Sequence, residues 1–453
     1  MKTRHLFRVA PWIACSFRVA VALMLSMNAW SASTSKGVGK GASNGAKAES
    51  TVETKPASTP GQKQEVALPL MKYSGVWLTG SYSEAKERFP VGVNYALQLA
   101  DGEGDAGLTQ VLLRELRASA KTGGRRLVDA LAEDGHVASS TAGEAYLLAC
   151  GINYEHVESV EIGGVNKVMA ELGFDLMVCD FANRAIVITL PGRVIRTDVS
   201  KTAKVSEDQK RAMLRELYQN ELVKQFVKLA SAHGPEIFGI GTIGVTKVTL
   251  FDEAVNILPS FLKDRYEEFF SNVAASNFYE GVGIPLTPLS RGTDMLFCGM
   301  RVGLSDEQRF VANSEQSKGG GLTFALHRPD YEMELVIPAF RTVTASASAA
   351  GKYVQNCCYS RITIKRGDLV IYSSQHEASV QNLIPRGSSE KVPWLAYSDS
   401  VNELFFKSSK VIRGQISGPE KKQEKPMLVV KPPLLKQCLM ECAPWAVISK
   451  NKP

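Results

Sequence analysis

The sequence predicts an α+β fold of two domains, each built from an antiparallel β-meander with packed amphipathic helices. Three observations support this prediction: apolar side chains alternate strictly within the first half, a capped helix follows them, and the second half shows a similar order of elements. A chain of 453 residues can bury two cores of ordinary size. Residue identity between the halves is weak, so a diverged duplication is one open explanation of the similarity.

The first meander is predicted between Cys150 and Thr197. Apolar residues occupy the even positions of its central strand and charged residues the odd ones, so one face is expected to be core and the other to meet water. Even positions are also apolar in the segments before and after this strand. If the three strands share one apolar face, each connection must have a length that sets even-numbered residues opposite even-numbered residues. The expected connections are Gly163-Gly164-Val165, which opposes Val160 to Val168 and Tyr154 to Phe174, and Phe181-Ala182-Asn183, which opposes Val178 to Ile186 and Leu176 to Ile188.

Residues 1–31 have the pattern of a secretory signal peptide. The first eight residues are basic, an uncharged run extends from Val19 to Met27, and small residues precede an expected cleavage site after Ser31. The basic region is long, so retention as an uncleaved anchor stays open. Residues 32–65 are rich in Ser, Gly, Ala and Lys with almost no large apolar side chain, and they predict a disordered linker.

The predicted N-terminal domain spans residues 66–234. After the meander, Ser206 and Gln209 form a capping box, and apolar residues recur at helical spacing until Gly234 and Pro235 end the helix. The elements predicted before the meander are a strand at Gly75–Thr79, a short helix near Ser83, a strand at Val93–Leu99, and helices at Gly107–Ala118 and Leu127–Glu133.

The predicted C-terminal domain spans residues 235–417. Its elements are an extended segment at 237–251, a helix at 260–273, strands at 295–302 and 322–326, a second meander at 331–344, 353–365 and 369–372, and a helix at 400–410. Aromatic residues between Phe261 and Phe278 predict core packing, with a binding groove as the alternative. Residues 418–453 are rich in Lys, Glu, Gln and Pro, which predicts a flexible tail that carries Cys438 and Cys442.

Charge and hydropathy argue against two classes of partner. The chain has 53 Lys and Arg against 46 Asp and Glu, and four of the basic residues lie in the signal peptide, which has no acidic residue. The mature chain therefore carries a net charge of +3, and this small excess of basic residues gives little support for nucleic-acid binding. No apolar run after the signal peptide approaches the roughly 20 residues of a membrane helix. We expect no nucleic-acid partner and no transmembrane helix beyond the signal peptide.

Seven cysteines follow the expected cleavage site, an odd number in a chain for which export would favour disulfides. Strand parity places Cys150 opposite Val178 and Cys179 on the other face, so these two are not expected to pair. The disulfide candidates are Cys357, Cys358, Cys438 and Cys442; the last two could bridge each other or hold the C-terminus to either of the first two. A Cys-x-x-x-Cys pair supplies half of the ligands of a closed zinc site, so no metal is predicted.

Two glycine motifs are interpreted as structural. Gly41–Gly45 matches the G-x-S-x-G of serine hydrolases but lies in the linker, where no strand-to-helix turn is expected. Gly239–Gly244 matches G-x-G-x-x-G, but residues 245–250 predict a strand rather than the helix that would receive a pyrophosphate. A bent strand packed closely against a neighbour is expected there, and no cofactor is predicted.

Two histidines have an interpretable context. Parity sets His156 on the apolar face opposite Leu172, where an imidazole is either a tuned base or, more commonly, a core side chain satisfied by a backbone carbonyl. His233 suits a helix C-terminus, where a positive charge meets the negative end of the helix dipole.

Ser260 and Lys263 are the catalytic candidates. Their S-x-x-K spacing puts both on one helical face, as in penicillin-binding enzymes, and Ser400-Val401-Asn402 could supply the S-x-N element. The Lys-Thr-Gly at residues 121–123 precedes both, which is the wrong order for such an enzyme. The chain is therefore expected not to be an enzyme.

The sequence predicts an exported cell-envelope protein that acts as a non-enzymatic binding or assembly component, with an envelope protein partner or by self-association. In a Gram-negative source it would lie in the periplasm or at the periphery of the outer membrane. One alternative is an outer-membrane-associated oligomer whose hairpins between Val168 and Thr197 contribute to a pore or export complex, since their alternation approaches the length of a tilted membrane strand. The other is a cell-wall hydrolase or transpeptidase-like enzyme with Ser260 as nucleophile and Lys263 as base.

Overall fold

Two β-sheets with helices packed on them form the described part of the chain, which confirms the α+β class. The computed structural model describes residues 71–96, 107–122, 124–131, 146–162, 165–200, 205–287, 294–298, 322–386, 394–417 and 429–443. All of them belong to one compact unit that begins at Glu65. The predicted signal peptide, the linker and the Gly41–Gly45 motif lie outside the described residues, and the boundary between 234 and 235 stays a prediction.

The elements are numbered in chain order. The strands are β1 (Met71–Thr79), β2 (Tyr146–Ile162), β3 (Val165–Asp180), β4 (Ala185–Ser200), β5 (Ile243–Leu250), β6 (Leu286–Thr287), β7 (Asp294–Cys298), β8 (Leu322–Leu326), β9 (Tyr331–Ile337), β10 (Phe340–Ser348), β11 (Gly351–Arg366), β12 (Leu369–Pro385) and β13 (Val429–Val430). The α-helices are α1 (Tyr82–Arg88), α2 (Pro90–Ala96), α3 (Leu108–Ser119), α4 (Glu207–Glu216), α5 (Val223–Ala232), α6 (Asp252–Val255), α7 (Ser260–Lys263), α8 (Tyr266–Val282), α9 (Trp394–Ser417) and α10 (Pro432–Cys442).

The first sheet closes into a six-stranded barrel in the order β1-β2-β3-β4-β8-β7. The two strands that close it come from the second half of the chain: β7 pairs antiparallel with β1, and β8 pairs parallel with β4. Inside, Trp77 packs between Phe297 and Phe324, with ring centroids 5.3 and 5.2 Å away. Because the barrel needs strands from both predicted halves, the duplication of one architecture is not confirmed.

The predicted register between β2 and β3 is wrong, although the predicted apolar face exists. Val160 lies opposite Lys167, and Tyr154 lies opposite Gly173. The ladder runs on to Ile162 opposite Val165, so Val165 belongs to the strand; Gly163 and Gly164 lie outside the described residues. A register shift between Ile152 and Tyr154 then restores parity, and the buried even positions meet there: Leu148 opposite Val178, Cys150 opposite Leu176 and Ile152 opposite Phe174.

The register between β3 and β4 also differs from the prediction. Val178 lies opposite Ile188 and Leu176 opposite Leu190, two residues beyond the expected partners. The turn at 181–184 is longer than expected because the Asp180 carboxylate accepts hydrogen bonds from the backbone N–H and side-chain amide of Asn183, at 3.0 and 2.8 Å. Arg184 completes the turn with a φ of 48°. A register shift between Val178 and Cys179 then keeps even positions together.

Helices cover the even face of β2, β3 and β4. Helix α4 begins at the predicted Ser206–Gln209 capping box and continues through a π-helical stretch, Leu217–Leu222, into α5. The strand predicted at Val93–Leu99 is wrong where it is described, because Pro90 opens helix α2; residues 97–99 lie outside the described part. The helix predicted at Leu127–Glu133 is a short 3₁₀ turn, Leu127–Ala130.

The second sheet has the order β13-β12-β11-β9-β5-β6, with β10 also paired to β11. It contains the third and second strands of the predicted meander as β12 and β11, although β12 reaches Pro385. The strand predicted at 331–344 is instead two strands, β9 and β10, which both pair with β11. The C-terminal segment differs from the predicted tail, because residues 432–442 form α10. Its Leu435, Cys438, Leu439 and Cys442 recur at helical spacing and are buried in the same core as the sheet.

Candidate functional site

The second sheet has one covered face and one open face. Along β11, side chains at even positions from Val354 to Ile364 are buried, whereas those at odd positions are half-buried or exposed. Phe340 of β10 points to the covered face, where its ring lies 6.2 Å from Phe270 of α8 and 5.5 Å from Trp394 of α9. The odd positions of β11 therefore point away from these two helices.

At one end of the open face, five side chains form a surface that we name the distal face: Val343, Tyr353, Gln355, Gln381 and Leu383. The register sets Tyr353 opposite Leu383, and it sets Gln355 between Val343 and Gln381. Val343, Tyr353 and Leu383 expose 40, 38 and 40% of their surface. None of the five carries a charge, so the distal face is neutral and partly apolar.

The other end of the open face is charged. Lys365 Nζ lies 2.7 Å from Glu334 Oε1, and Arg328 Nη2 lies 2.7 Å from Glu332 Oε1. Arg361, two odd positions before Lys365 on β11, adds a further charge at this end. Charged side chains are depleted from the centre of protein interfaces, whereas aromatic residues are enriched there. The contrast favours the distal face as the surface that contacts a partner.

Strand β10 borders the distal face and is an edge strand within the described residues, since it pairs with β11 alone. From Thr342 to Ser348 it carries no charge and no proline, the residues that commonly protect exposed edges. A register shift between Thr344 and Ser346 bends it. The edge therefore offers backbone N–H and C=O groups to which an extended segment can add.

The distal face rests on a buried hydrogen-bond network. Thr342 Oγ1 donates to Asn356 Oδ1 at 2.8 Å and lies 2.6 Å from the hydroxyl of Tyr397. Ser400 Oγ of α9 donates to the backbone carbonyl of Asn356 at 2.6 Å. Asn356 is fully buried. Helix α9 thus holds β10 and β11 in place, which makes the distal face a preformed surface.

The four disulfide candidates lie in two places, and all seven cysteines of the described residues are free thiols. Cys357 is half-buried on the open face, two residues after Gln355 of the distal face, and Cys358 is buried on the covered face. Cys438 and Cys442 are buried on α10, where the neighbouring Cys438 thiol and burial raise the pKa of the Cys442 thiol. Burial raises the pKa of the Cys357 and Cys358 thiols. The pairing of the four stays a prediction.

Cys150 and Cys179 lie on opposite faces, as predicted. Cys150 is part of the core between the strands and the helices, whereas Cys179 is part of the barrel interior. The partner predicted for Cys150 is wrong, since it opposes Leu176 rather than Val178.

Ser260 and Lys263 are exposed on α7, a helix of four residues. Phe261 between them stacks on His156, with ring centroids 4.1 Å apart. In the S-x-N element, Ser400 is buried and bonded to Asn356, and Asn402 accepts hydrogen bonds from Arg193 and Asn277. The exposed Ser260 and Lys263 thus differ in their surroundings from the buried, bonded Ser400, and the catalytic role of these residues stays a prediction.

The Gly239–Gly244 motif leads into β5, whose first two residues are Ile243 and Gly244, and its glycines allow the close packing that was expected. Gly241 N–H donates to the Glu441 carbonyl of α10 at 3.0 Å, and a Cβ on Gly241 would lie 3.2 Å from Cys442 Sγ. A Cβ on Gly244 would lie 2.7 Å from Pro329 Cγ. The motif therefore lets α10 and Pro329 approach the backbone around β5.

The two histidines differ from their sequence interpretation. His156 opposes Glu171 instead of Leu172, because Val165 belongs to β3 and pairs with Ile162, and burial lowers the pKa of His156 to about 4. His233 does cap α5 and contacts the Tyr279 hydroxyl. Burial lowers its pKa as well, so the positive charge expected at this helix end is disfavoured.

The odd face of the first meander is buried, contrary to the prediction that it meets water. It forms a polar seam, defined by the contacts of β3 and β4 with α8 and α9. Arg193 of β4 forms an ion pair with Glu171 of β3 and donates a hydrogen bond to Asn402 of α9. The Arg193 side chain is 8% exposed and the Glu171 side chain 2%. Lys167 Nζ lies 3.1 Å from Asp399 Oδ2 of α9. Glu171 is thus paired inside the protein, and the half-buried Lys167 is paired with α9.

Two further carboxyl groups are buried, Asp175 on the odd face of β3 and Glu155 on the face that the helices cover. Asp175 is 1% exposed and accepts a hydrogen bond from Asn153 Nδ2 at 2.7 Å, and burial raises its pKa to about 7. Glu155 accepts hydrogen bonds from the N–H groups of Val91 and Gly92 and from the Tyr218 hydroxyl, at 2.9, 2.8 and 2.7 Å. Burial raises the Glu155 pKa despite these bonds. Sequence periodicity missed both because their partners lie far away along the chain.

Within the described ranges, no cluster of three or more His, Cys, Asp or Glu could hold a metal ion. Among the helices of those ranges, none has the length and apolar character needed to span a membrane.

No protein-family model and no curated protein matches the chain. Among solved structures, the chain is similar to a minor lipoprotein from Acinetobacter baumannii, with 15% identity over 36% of this chain and 93% of that chain. The TM-score is 0.21. A likeness at this level supports no conclusion about fold or function.

Proposed function

We propose that the protein is an exported component of the cell envelope that binds a protein partner through the distal face and the edge of β10, without catalysis. The observation that carries the proposal is the neutral, partly apolar distal face beside an edge strand that carries no charge from Thr342 to Ser348. The signal-peptide pattern of residues 1–31 supports export, and the composition of residues 32–65 supports a tether.

The binding mode follows from the chemistry of the surface. An extended partner segment would pair with β10 through backbone hydrogen bonds, and its side chains on one face would contact Val343 and Tyr353. Tyr353 supplies the aromatic contact that commonly dominates such interfaces. The strands required by the pore alternative, β3 and β4, are instead paired within the barrel of this chain.

The Cys357 thiol can test the proposal in the native host. It is the half-buried thiol among seven described cysteines, the other six being buried, and it lies next to the distal face. We expect a maleimide to label Cys357 at least about tenfold more slowly in the intact envelope fraction than in the purified protein, because a bound partner covers it. Equal labelling rates would contradict the proposal.

A pair of matched variants separates the distal face from general exposure. Tyr353→Asp with Leu383→Asp places charges at the distal face and should abolish the difference in labelling. Leu369→Asp is the control, because Leu369 is 42% exposed on the same sheet but at the other end of β12. The control should retain the protection of Cys357. Protection that persists in the distal variant would rule out this surface.

A further inference from the structure

Three polar atoms at the polar seam are buried without a hydrogen-bond partner in the described structure: Asn153 Oδ1 of β2, Arg193 Nη2 of β4 and Asn272 Nδ2 of α8. Asn153 is 6% exposed and the Arg193 side chain 8%. A buried polar group left unsatisfied costs about 1–3 kcal/mol. Native proteins rarely leave several such groups together, so a molecule outside the chain is expected to satisfy them.

All three residues line one small cavity between the strands of the first meander and α8. Its volume is about 10 Å³. Gly173 of β3 also lines it, and a Cβ on Gly173 would lie 2.4 Å from Asn153 Oδ1. The missing side chain therefore keeps space open beside the carbonyl oxygen that lacks a donor.

We infer that this cavity binds one water molecule, which accepts hydrogen bonds from Arg193 Nη2 and Asn272 Nδ2 and donates one to Asn153 Oδ1. The volume is close to the least that one water needs, and three polar partners are the usual number for a buried water. An anion would face the Asn153 oxygen, and Glu171 already balances the charge of Arg193. A cation would face two N–H donors. Water is the ligand that matches all three groups.

A high-resolution crystal structure of the mature protein, soaked in bromide, tests the site directly. The expected result is a density peak about 2.7–3.2 Å from all three atoms without anomalous signal. An empty cavity would overturn the inference, and so would a bromide peak at this position, because the site would then hold an anion.

Oxygen-17 relaxation gives an independent count of long-lived internal waters. Asn272→Leu removes one donor and places methyl groups at the cavity, so this variant should hold one long-lived water fewer than the wild type. Asn94→Leu is the control, because Asn94 is exposed on α2, and it should keep the wild-type count. An unchanged count in Asn272→Leu would overturn the inference. If that variant does not fold, the diffraction result on the wild type decides.

Discussion

At the scale of one residue, Asp175 shows how burial in the fold changes the ionisation of a carboxyl group. The side chain opposes Gly151 on β2 and Pro191 on β4, and its one described hydrogen bond comes from Asn153. Burial without a neighbouring cation raises its pKa to about 7, which favours the neutral acid. The folded protein therefore holds a proton that the unfolded chain releases near pH 4.

Asp175→Asn should stabilise the protein at high pH. The wild type loses the contribution of Asp175 as pH rises from about 4 through 7, because folding then requires a proton or a buried charge. Asparagine resembles the neutral acid and does not titrate. The gain in unfolding free energy should be on the order of a few kcal/mol at pH 8 and should shrink toward pH 4.

Urea denaturation of both proteins across this pH range measures the effect. The difference between variant and wild type isolates Asp175, because His156 and His376, both with pKa lowered to about 4, contribute a stability that rises with pH in either protein. A difference that is constant with pH would show that Asp175 ionises normally in the folded state.

At the scale of elements, a substitution in β5 tests whether the glycines of the Gly239–Gly244 motif are needed for close packing. Gly244→Ala would place a Cβ 2.7 and 2.9 Å from two ring carbons of Pro329, and a proline ring cannot move aside. We expect a loss of about 1–3 kcal/mol in unfolding free energy from overpacking. Thermal or urea denaturation checks this value.

Gly414→Ala in α9 is the matched control for that substitution. Gly414 is helical, and nothing lies within 4 Å of the added Cβ. Alanine there should stabilise the protein by about 0.5–1 kcal/mol. If Gly244→Ala were as stable as the wild type, close packing would not explain the glycine at that position.

Strand alternation predicted which side chains share a face, but it could not predict the register. The even positions around Phe174 are buried together, as expected. The shift beside Asn153 and the turn held by Asp180 and Asn183 move the opposed pairs, and they depend on local hydrogen bonds that periodicity does not report.

Contacts between distant segments explain the other differences from the prediction. Glu171 and Asp175 have the spacing of a solvated face, and only contacts with α9 and Asn153 show that this face is buried. The distal face could not be predicted either, because the covered and open faces of β11 are distinguished by the positions of α8 and α9. Helix α10 was missed because its four buried residues follow a segment of polar composition.

At the scale of the whole molecule, the barrel crosses the predicted domain boundary. A chain of residues 66–234 contains β1 to β4 but lacks β7 and β8, so the outer edges of β1 and β4 would be unpaired. We expect this fragment to aggregate or to lack a cooperative unfolding transition, whereas residues 66–453 should unfold cooperatively.

Size-exclusion chromatography and thermal denaturation of both chains check this expectation. A soluble monomeric fragment with a sharp transition would show that the first half folds by itself and would support a boundary between 234 and 235. The longer chain, purified in the same way, controls for expression and handling.

Barrel closure also has a consequence for how the chain is made. The barrel is complete only when Leu78 of β1 pairs with Cys298 of β7 and Ala185 of β4 pairs with Ala325 of β8. Contacts between such distant positions make folding slow, because a long loop must close before any of them forms. During synthesis, β7 leaves the ribosome long after β1, so one edge of β1 stays unpaired until then. The growing chain would need protection from aggregation during this time.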